Sequence, residues 1–240
     1  MNYLLHILIM INIYIILSVS TNLLVGLSNL MSLGQAAFYG IGAYITAYAL
    51  LGLGLPLFPS LLLAAFVTII FSFLLAYVSI KLDGDYFILA TLGFQIIIFT
   101  ILYNWINVTK GPYGIPGIPA PKLFGVIEVK GITGFVILST ILSLITILIF
   151  YKLINSPFGR ALKGMRDDET SMLALGRNIT NLKMQAFLIS SAFSAVAGFI
   201  YATYITYIDP TSFGLDESIF ILSAVIIGGT GNIRGPVIGA

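Results

Sequence analysis

The first charged side chain in this sequence is Lys81, and residues 1–80 hold a single side chain that titrates near neutral pH, His6. A soluble domain keeps itself in water with a surface that is roughly a quarter to a third charged. No arrangement of residues 1–80 supplies that surface. Across the whole chain 59% of residues are hydrophobic and 8% are charged, against about a quarter charged in an ordinary globular domain. The chain is therefore expected to live in a bilayer.

A spanning helix needs about 20 mostly apolar residues, because the hydrocarbon core is about 30 Å thick and a helix rises about 1.5 Å per residue. Residues 58–80, 86–109, 131–151 and 184–208 each satisfy this without a formal charge. Residues 1–53 hold one or two further spans, and 218–240 a broken one. These runs are too long and too even for barrel strands, which alternate over about ten residues. The expected class is an all-α, polytopic transmembrane helical bundle with broken helices. A cleavable signal peptide fits poorly, since there is no basic start and the apolar sequence runs on. With no cysteine, disulfides and thiolate metal sites are excluded.

Six of the eleven Lys/Arg residues are Lys152, Arg160, Lys163, Arg166, Arg177 and Lys183. The positive-inside rule makes residues 152–183 cytoplasmic. Lys81, Asp83 and Asp85 then form a short cytoplasmic turn, and residues 104–130, with Lys110, Lys122, Glu128 and Lys130, lie outside. Tyr103 and Trp105 read as the outer aromatic belt, and Gly111-Pro112 through Pro119 as a stiff external turn. His6 reads as an interfacial residue. Asn107-Val-Thr109 fits a glycosylation sequon, a pattern common by chance. With one crossing after Ser20 the N-terminus is outside; with two it is inside.

Residues 22–53 are too long for one simple span and short for two. They contain several glycines and a polar knot of Ser28, Asn29, Ser32 and Gln35, which predicts a helix broken near residues 32–35. Residues 218–240 are similarly interrupted by Gly228-Gly229, Gly231 and Gly235-Pro236. Broken helices in corresponding halves mark the pathway in repeat-built transporters; close packing through small residues explains the same glycines without a substrate. The run 219–240 ends in apolar sequence, so at least one further span is expected beyond it. The glycines at 228–235 are not a phosphate loop: they lack the Gly-Lys-Ser/Thr ending and a preceding strand. The net charge of +2 says nothing about nucleic acid.

Ser156-Pro157 predicts a helix start, with a capping hydroxyl and proline at the first position. Arg160, Lys163 and Arg166 follow on a basic face. Asp167-Asp168-Glu169 opens a second short helix, which stops at Gly176. Such a segment suits docking into a partner's groove or serves only to fix topology. Asp83, Asp85, Asp209, Asp216 and Glu217 all lie at segment ends, leaving no charge at mid-span. That disfavours proton coupling, which needs ionisable groups inside the bundle, and favours an energy source on another subunit.

The stretch NLLVGLSNLMSLGQAAFYGIGAYITA at 22–47 resembles the LivM-type permeases of branched-chain amino acid ABC importers. So do GDYFILATLGFQ at 84–95, TKGPYGIPGIP at 109–119, SPFGRALKGMRDDETSMLALGRN at 156–178 and the final stretch 209–240. The order is kept over nearly the whole chain; the departure is Glu169-Thr170-Ser171, where many relatives carry small alanines. The resemblance implies one transmembrane permease domain over residues 1–240, multi-pass in the bacterial inner membrane and not an enzyme. It implies no cofactor in this chain, ATP being held by partners. Those partners would be a second homologous permease, two cytoplasmic ATPase subunits and an extracytoplasmic substrate-binding protein, in a setting of membrane lipid. Coupling to the ATPases would fall to Arg160, Arg166, Asp167, Asp168, Glu169 and Gly176. The translocation pathway would involve Gly34, Gln35, Gly40, Gly42, Thr91, Gly93, Gly228 and Gly229. The cargo would be leucine, isoleucine and valine, or, in the same machine, urea or another small amide. An ion-coupled carrier or channel is the reading from a different class, and a purely structural membrane subunit is a third.

Overall fold

A computed structural model describes residues 2–82, 84–123, 127–129 and 131–240, the side chains of 123, 127 and 128 excepted. Asp83 and Lys130, and the Glu128 side chain, lie outside the described part. The long elements are α1 (Asn2–Asn22), α2 (Gln35–Leu51), α3 (Leu57–Ser79), α4 (Asp85–Asn104), α6 (Gly131–Asn155), α9 (Ile179–Ile205) and α10 (Leu215–Gly228). Short helices α5 (Ile106–Thr109), α7 (Pro157–Asp167), α8 (Glu169–Ala174) and α11 (Arg234–Gly239) join or end them. Five helices are long and apolar enough to cross a membrane: α1 with its extension to Leu27, α3, α4, α6 and α9. The molecule is an all-α polytopic bundle, as the apolar runs require.

Two segments are not simple spans. Beyond Asn22, α1 continues as a π-helical turn, Leu23–Leu27, and stops at Asn29, whose φ is 55°. Residues 28–34 are irregular, and α2 begins only at Gln35. Likewise the chain leaves α9, passes through residues 206–214 and starts α10 at Leu215.

Contacts fix the directions. The His6 Nδ1 lies 2.7 Å from the Tyr204 hydroxyl, while Ser20 meets Ser194, so α1 and α9 are antiparallel. Asn12 joins Ser139, Thr140 and Ser143 in hydrogen bonds of 3.0–3.2 Å, while Phe135 stacks by Tyr204; α6 thus runs parallel to α1. The start of α1 therefore sits on the face opposite the basic segment. By the positive-inside rule the N-terminal end is external, which selects the single crossing between Ser20 and α3.

Apolar attraction does not drive helices together in lipid, so small residues that permit close approach do the work. A Cβ on Gly42 would come within 2.5 Å of the Ala195 backbone, and one on Gly198 within 2.3 Å of the Tyr39 carbonyl oxygen. α9 thus packs backbone to backbone on α2 and is the most buried of the five long apolar helices. α3, α4 and α6 turn Leu62, Phe66, Leu74, Leu89, Ile97, Ile137 and Leu148 outward, as lipid-facing helices do.

The chain lacks cysteine, so single substitutions report sidedness. Tyr3 and Leu175 are 74% and 76% exposed. Tyr3→Cys is expected to react with an impermeant maleimide in intact cells, and Leu175→Cys only after permeabilisation. Labelling of Leu175→Cys in intact cells would contradict the orientation.

Candidate functional site

The two broken segments converge. The Ala36 N–H, in the first turn of α2, donates to the Ser218 hydroxyl, in the first turn of α10, at 3.1 Å. From this junction α2 runs to the external side, where Tyr48 and Trp105 line one cavity. α10 runs the other way, and the turn after it meets Asn22 at the cytoplasmic end of α1. The arrangement is that of an inverted repeat: a span, an irregular lead-in and a half-helix, in opposite senses. A sequence signal was available and missed, because Ser32-Leu33-Gly34 precedes α2 and Ser212-Phe213-Gly214 precedes α10.

Irregular backbone at membrane depth survives only if its polar groups are satisfied by protein or water. One face of α4 does this for both lead-ins. The Leu33 N–H donates to Thr91 Oγ1 at 3.1 Å, and one turn further along, Gln95 Nε2 donates to the Phe213 carbonyl at 2.7 Å. α9 holds the other side: Gln35 Nε2 donates to Ser190 at 3.0 Å, and Ser194 donates to Gln35 Oε1 at 2.7 Å. Ser190 in turn donates to the Ser20 carbonyl at 2.8 Å. Gln35, Thr91, Gln95, Ser190, Ser194 and Ser218 are all buried. Of these, Gln95, Ser190, Ser194 and Ser218 were not picked out from sequence: Gln95 is isolated in an apolar run, Ser190 and Ser194 share one run with Ser191, and Ser218 directly follows Asp216-Glu217.

The expected pathway residues do not all sit together. Gln35, Gly34 and Thr91 sit at the junction, Gly34 as the first residue before α2. Gly93 has open space where its Cβ would be. Three others sit in close packing: a Cβ on Gly40 would strike Phe213, one on Gly42 would strike Ala195, and one on Gly228 the Gly235 carbonyl. Gly229 ends α10 with φ of 101°.

The acidic pair opening α10 corrects the expectation that no charge lies at mid-span. Asp216 and Glu217 do end a segment in sequence, but that segment begins inside the bundle. Asp216 lines a cavity of about 310 Å³ with Gln95, Ile96, Phe99, Thr211 and Leu215. Gln95 is near the middle of the 20-residue α4, so Asp216 is at bilayer depth. Glu217 lies against the Tyr14 hydroxyl; no hydrogen-bond or ion-pair partner reaches Asp216 among the described residues. Above the junction, the external turn closes down: β1 (Ile115–Pro116) pairs antiparallel with β2 (Tyr207–Ile208), and Ile118 N–H donates to the Thr206 carbonyl. Thr109, of the sequon, is buried and donates to the Leu102 carbonyl at 2.6 Å.

The cytoplasmic segment forms the two helices its sequence predicts. Ser156 caps α7 by accepting from Gly159 N–H. Asp168 caps α8 by accepting from the Thr170 and Ser171 N–H groups. The Ser171 and Thr170 hydroxyls hold the Asp168 carboxyl down to about 2, so it stays ionised in the cytoplasm. Gly176 ends α8 with φ of 75°. Glu169 pairs with the buried Lys183 at 2.7 Å, beside a cavity of about 420 Å³ that reaches Asn29, Met31 and Asp85. Arg160 lines an outward groove with Pro157, Met172, Leu175 and Arg177, and Asp167 is exposed. Arg166 is also exposed, but its guanidinium reaches back to donate to the Gly26 carbonyl.

Residues 3–240 match the family described as branched-chain amino acid transport system, permease component. The high-affinity branched-chain amino acid transport system permease protein LivM of Salmonella typhimurium is 35% identical over 242 residues, covering 92% of this chain and 57% of that protein. LivM of Escherichia coli K12 is 34% identical with the same coverage. The probable branched-chain amino acid transport permease LivM of Methanocaldococcus jannaschii is 29% identical over 83% of this chain and 57% of that protein. The chain thus spans a little over half the length of these relatives. No solved structure matches. Matched across nearly all its length and folded as a multi-pass bundle with paired half-helices, the chain belongs to the family of permease components of branched-chain amino acid transport systems.

Proposed function

We propose that this chain is the transmembrane permease of an ATP-binding-cassette importer in a bacterial inner membrane, moving leucine, isoleucine and valine. The observation that carries the reading is the meeting of two oppositely directed half-helices inside the bundle, a geometry suited to alternating access. In this reading the chain pairs with a second permease, two cytoplasmic ATPases receive the groove of α7 and α8, and an extracytoplasmic binding protein delivers the cargo. The groove offers Arg160 and Arg177 around apolar Met172 and Leu175, a mixed surface suited to docking.

Charge favours an amino acid over urea. The start of α2 has no cap from Gly34, and its N–H groups other than that of Ala36, which Ser218 takes, present a positive helix end to a carboxylate; the start of α10 already carries Asp216 and Glu217. An unpaired Asp216 facing hydrocarbon would cost about 2.5–3.5 kcal/mol; facing a water-filled path it supplies a counter-charge for an ammonium. Ile96, Phe99 and Leu215 beside it suit an apolar side chain. Urea, being neutral, uses neither charge.

In proteoliposomes holding the full complex, ATP is expected to drive uptake of labelled leucine and not of labelled urea. Uptake by this chain alone without nucleotide, or preference for urea, would defeat the reading. Asp216→Asn is expected to raise the half-saturating leucine concentration about tenfold in the assembled complex; an unchanged value would remove Asp216 from the path.

A further inference from the structure

Arg166, on the basic face of α7, is exposed yet has a partner within the chain. Its apolar face is fixed in the bundle, with Leu162 and Met165 fully buried. At the end of this helix the Arg166 Nη1 donates to the carbonyl of Gly26, in the π-helical turn of α1. The same nitrogen is so close to Gly231, in the turn after α10, that a Cβ there would lie 2.8 Å from it. Asn22 ties these two turns together, accepting from Gly231 N–H and donating to the Asn232 carbonyl, both at 3.1 Å. Gly26 permits the contact, since a Cβ on it would sit 2.5 Å from the Gly231 nitrogen.

We propose that Arg166 is a positioning residue inside the chain, the strut through which movement of α7 reaches the cytoplasmic ends of both broken helices at once. The electrostatics suit it. The helix formed by α1 and its π-helical turn, and α10, both end here, and helix C-termini carry the partial negative charge and unpaired carbonyls that a guanidinium satisfies. The geometry then carries motion to one place. From Gly26 the chain reaches the start of α2 through residues 28–34. From Gly231 it reaches the start of α10 along 14 residues of helix, about 21 Å. Both routes end at the Ala36–Ser218 hydrogen bond. A pull on Arg166 therefore loads the two halves of the junction together, which an arginine bound only to a docking partner would not do.

The inference rests on the transporter reading, and its test separates the two. Wild-type complex that moves no branched-chain amino acid with ATP sinks the transporter reading. The strut is read from Arg166→Ala and Gly231→Ala, the second placing a methyl against the guanidinium without altering α7. In each variant complex that co-purifies with its ATPases, the amount of leucine moved per ATP hydrolysed is expected to fall at least tenfold. A Ser28→Cys reporter, buried in the parent, is expected to react several-fold faster with a water-borne thiol reagent in the absence of nucleotide. Arg166→Lys, keeping the charge but not the fork, is expected to recover part of both. Wild-type transport per ATP with unchanged Ser28→Cys labelling overturns the proposal. So does loss of ATPase co-purification in Arg166→Ala with Gly231→Ala behaving as wild type, which makes Arg166 a docking contact.

Discussion

Backbone N–H and C=O groups without partners are costly inside a bilayer, each by several kcal/mol. This chain breaks two helices there and must satisfy what the breaks expose. Everything else in the bundle is arranged around that need. Thr91 and Gln95, four residues apart on α4, serve one lead-in each. Ser190 and Ser194, four apart on α9, hold Gln35 from the other side. The helix period of about 3.6 residues places each pair on one face, so two straight spans act as rails on which two interrupted ones rest.

Neutral groups do this work, and that has a dynamic consequence. Hydrogen bonds between amides and hydroxyls are worth about 0.5–1.5 kcal/mol net, and a rail of serines offers more than one acceptor at similar spacing. The junction is held by several modest bonds in place of one strong ion pair. Breaking one or two such bonds costs at most a few kcal/mol, the range over which a partner's differential binding shifts a population. Close packing at Gly42 and Gly198 fixes α2 on α9, so that freedom to move is left to the lead-ins and α10.

The sequence shows the spans, the helix pair of the cytoplasmic segment and the two interrupted regions, because each is written in contiguous residues. Ser156, Asp168 and Gly176 cap and end their helices by local chemistry and are legible as such. Depth is not local. Asp216 and Glu217 end a segment, and whether that end is at the surface or inside the bundle depends on the path of residues 206–214. Nor is the partner of Gln35 local: Ser190 lies 155 residues away in an otherwise apolar run. Arg166 shares its spacing with Arg160 and Lys163, and only the packing of α7 turns it toward Gly26. The matching Ser-Leu-Gly and Ser-Phe-Gly are too short to signify until the structure shows both leading into half-helices.

The central claim is that the starts of α2 and α10 touch in one state of the protein and must part for transport. The direct measurement is cross-linking of Ala36→Cys with Ser218→Cys in the otherwise cysteine-free chain, using a short, cleavable thiol reagent on the assembled complex. The account predicts efficient cross-linking in the nucleotide-free complex, loss of ATP-driven leucine uptake while the link is intact, and recovery when it is cleaved. Absence of the cross-link, or unimpaired uptake with the link in place, would contradict it.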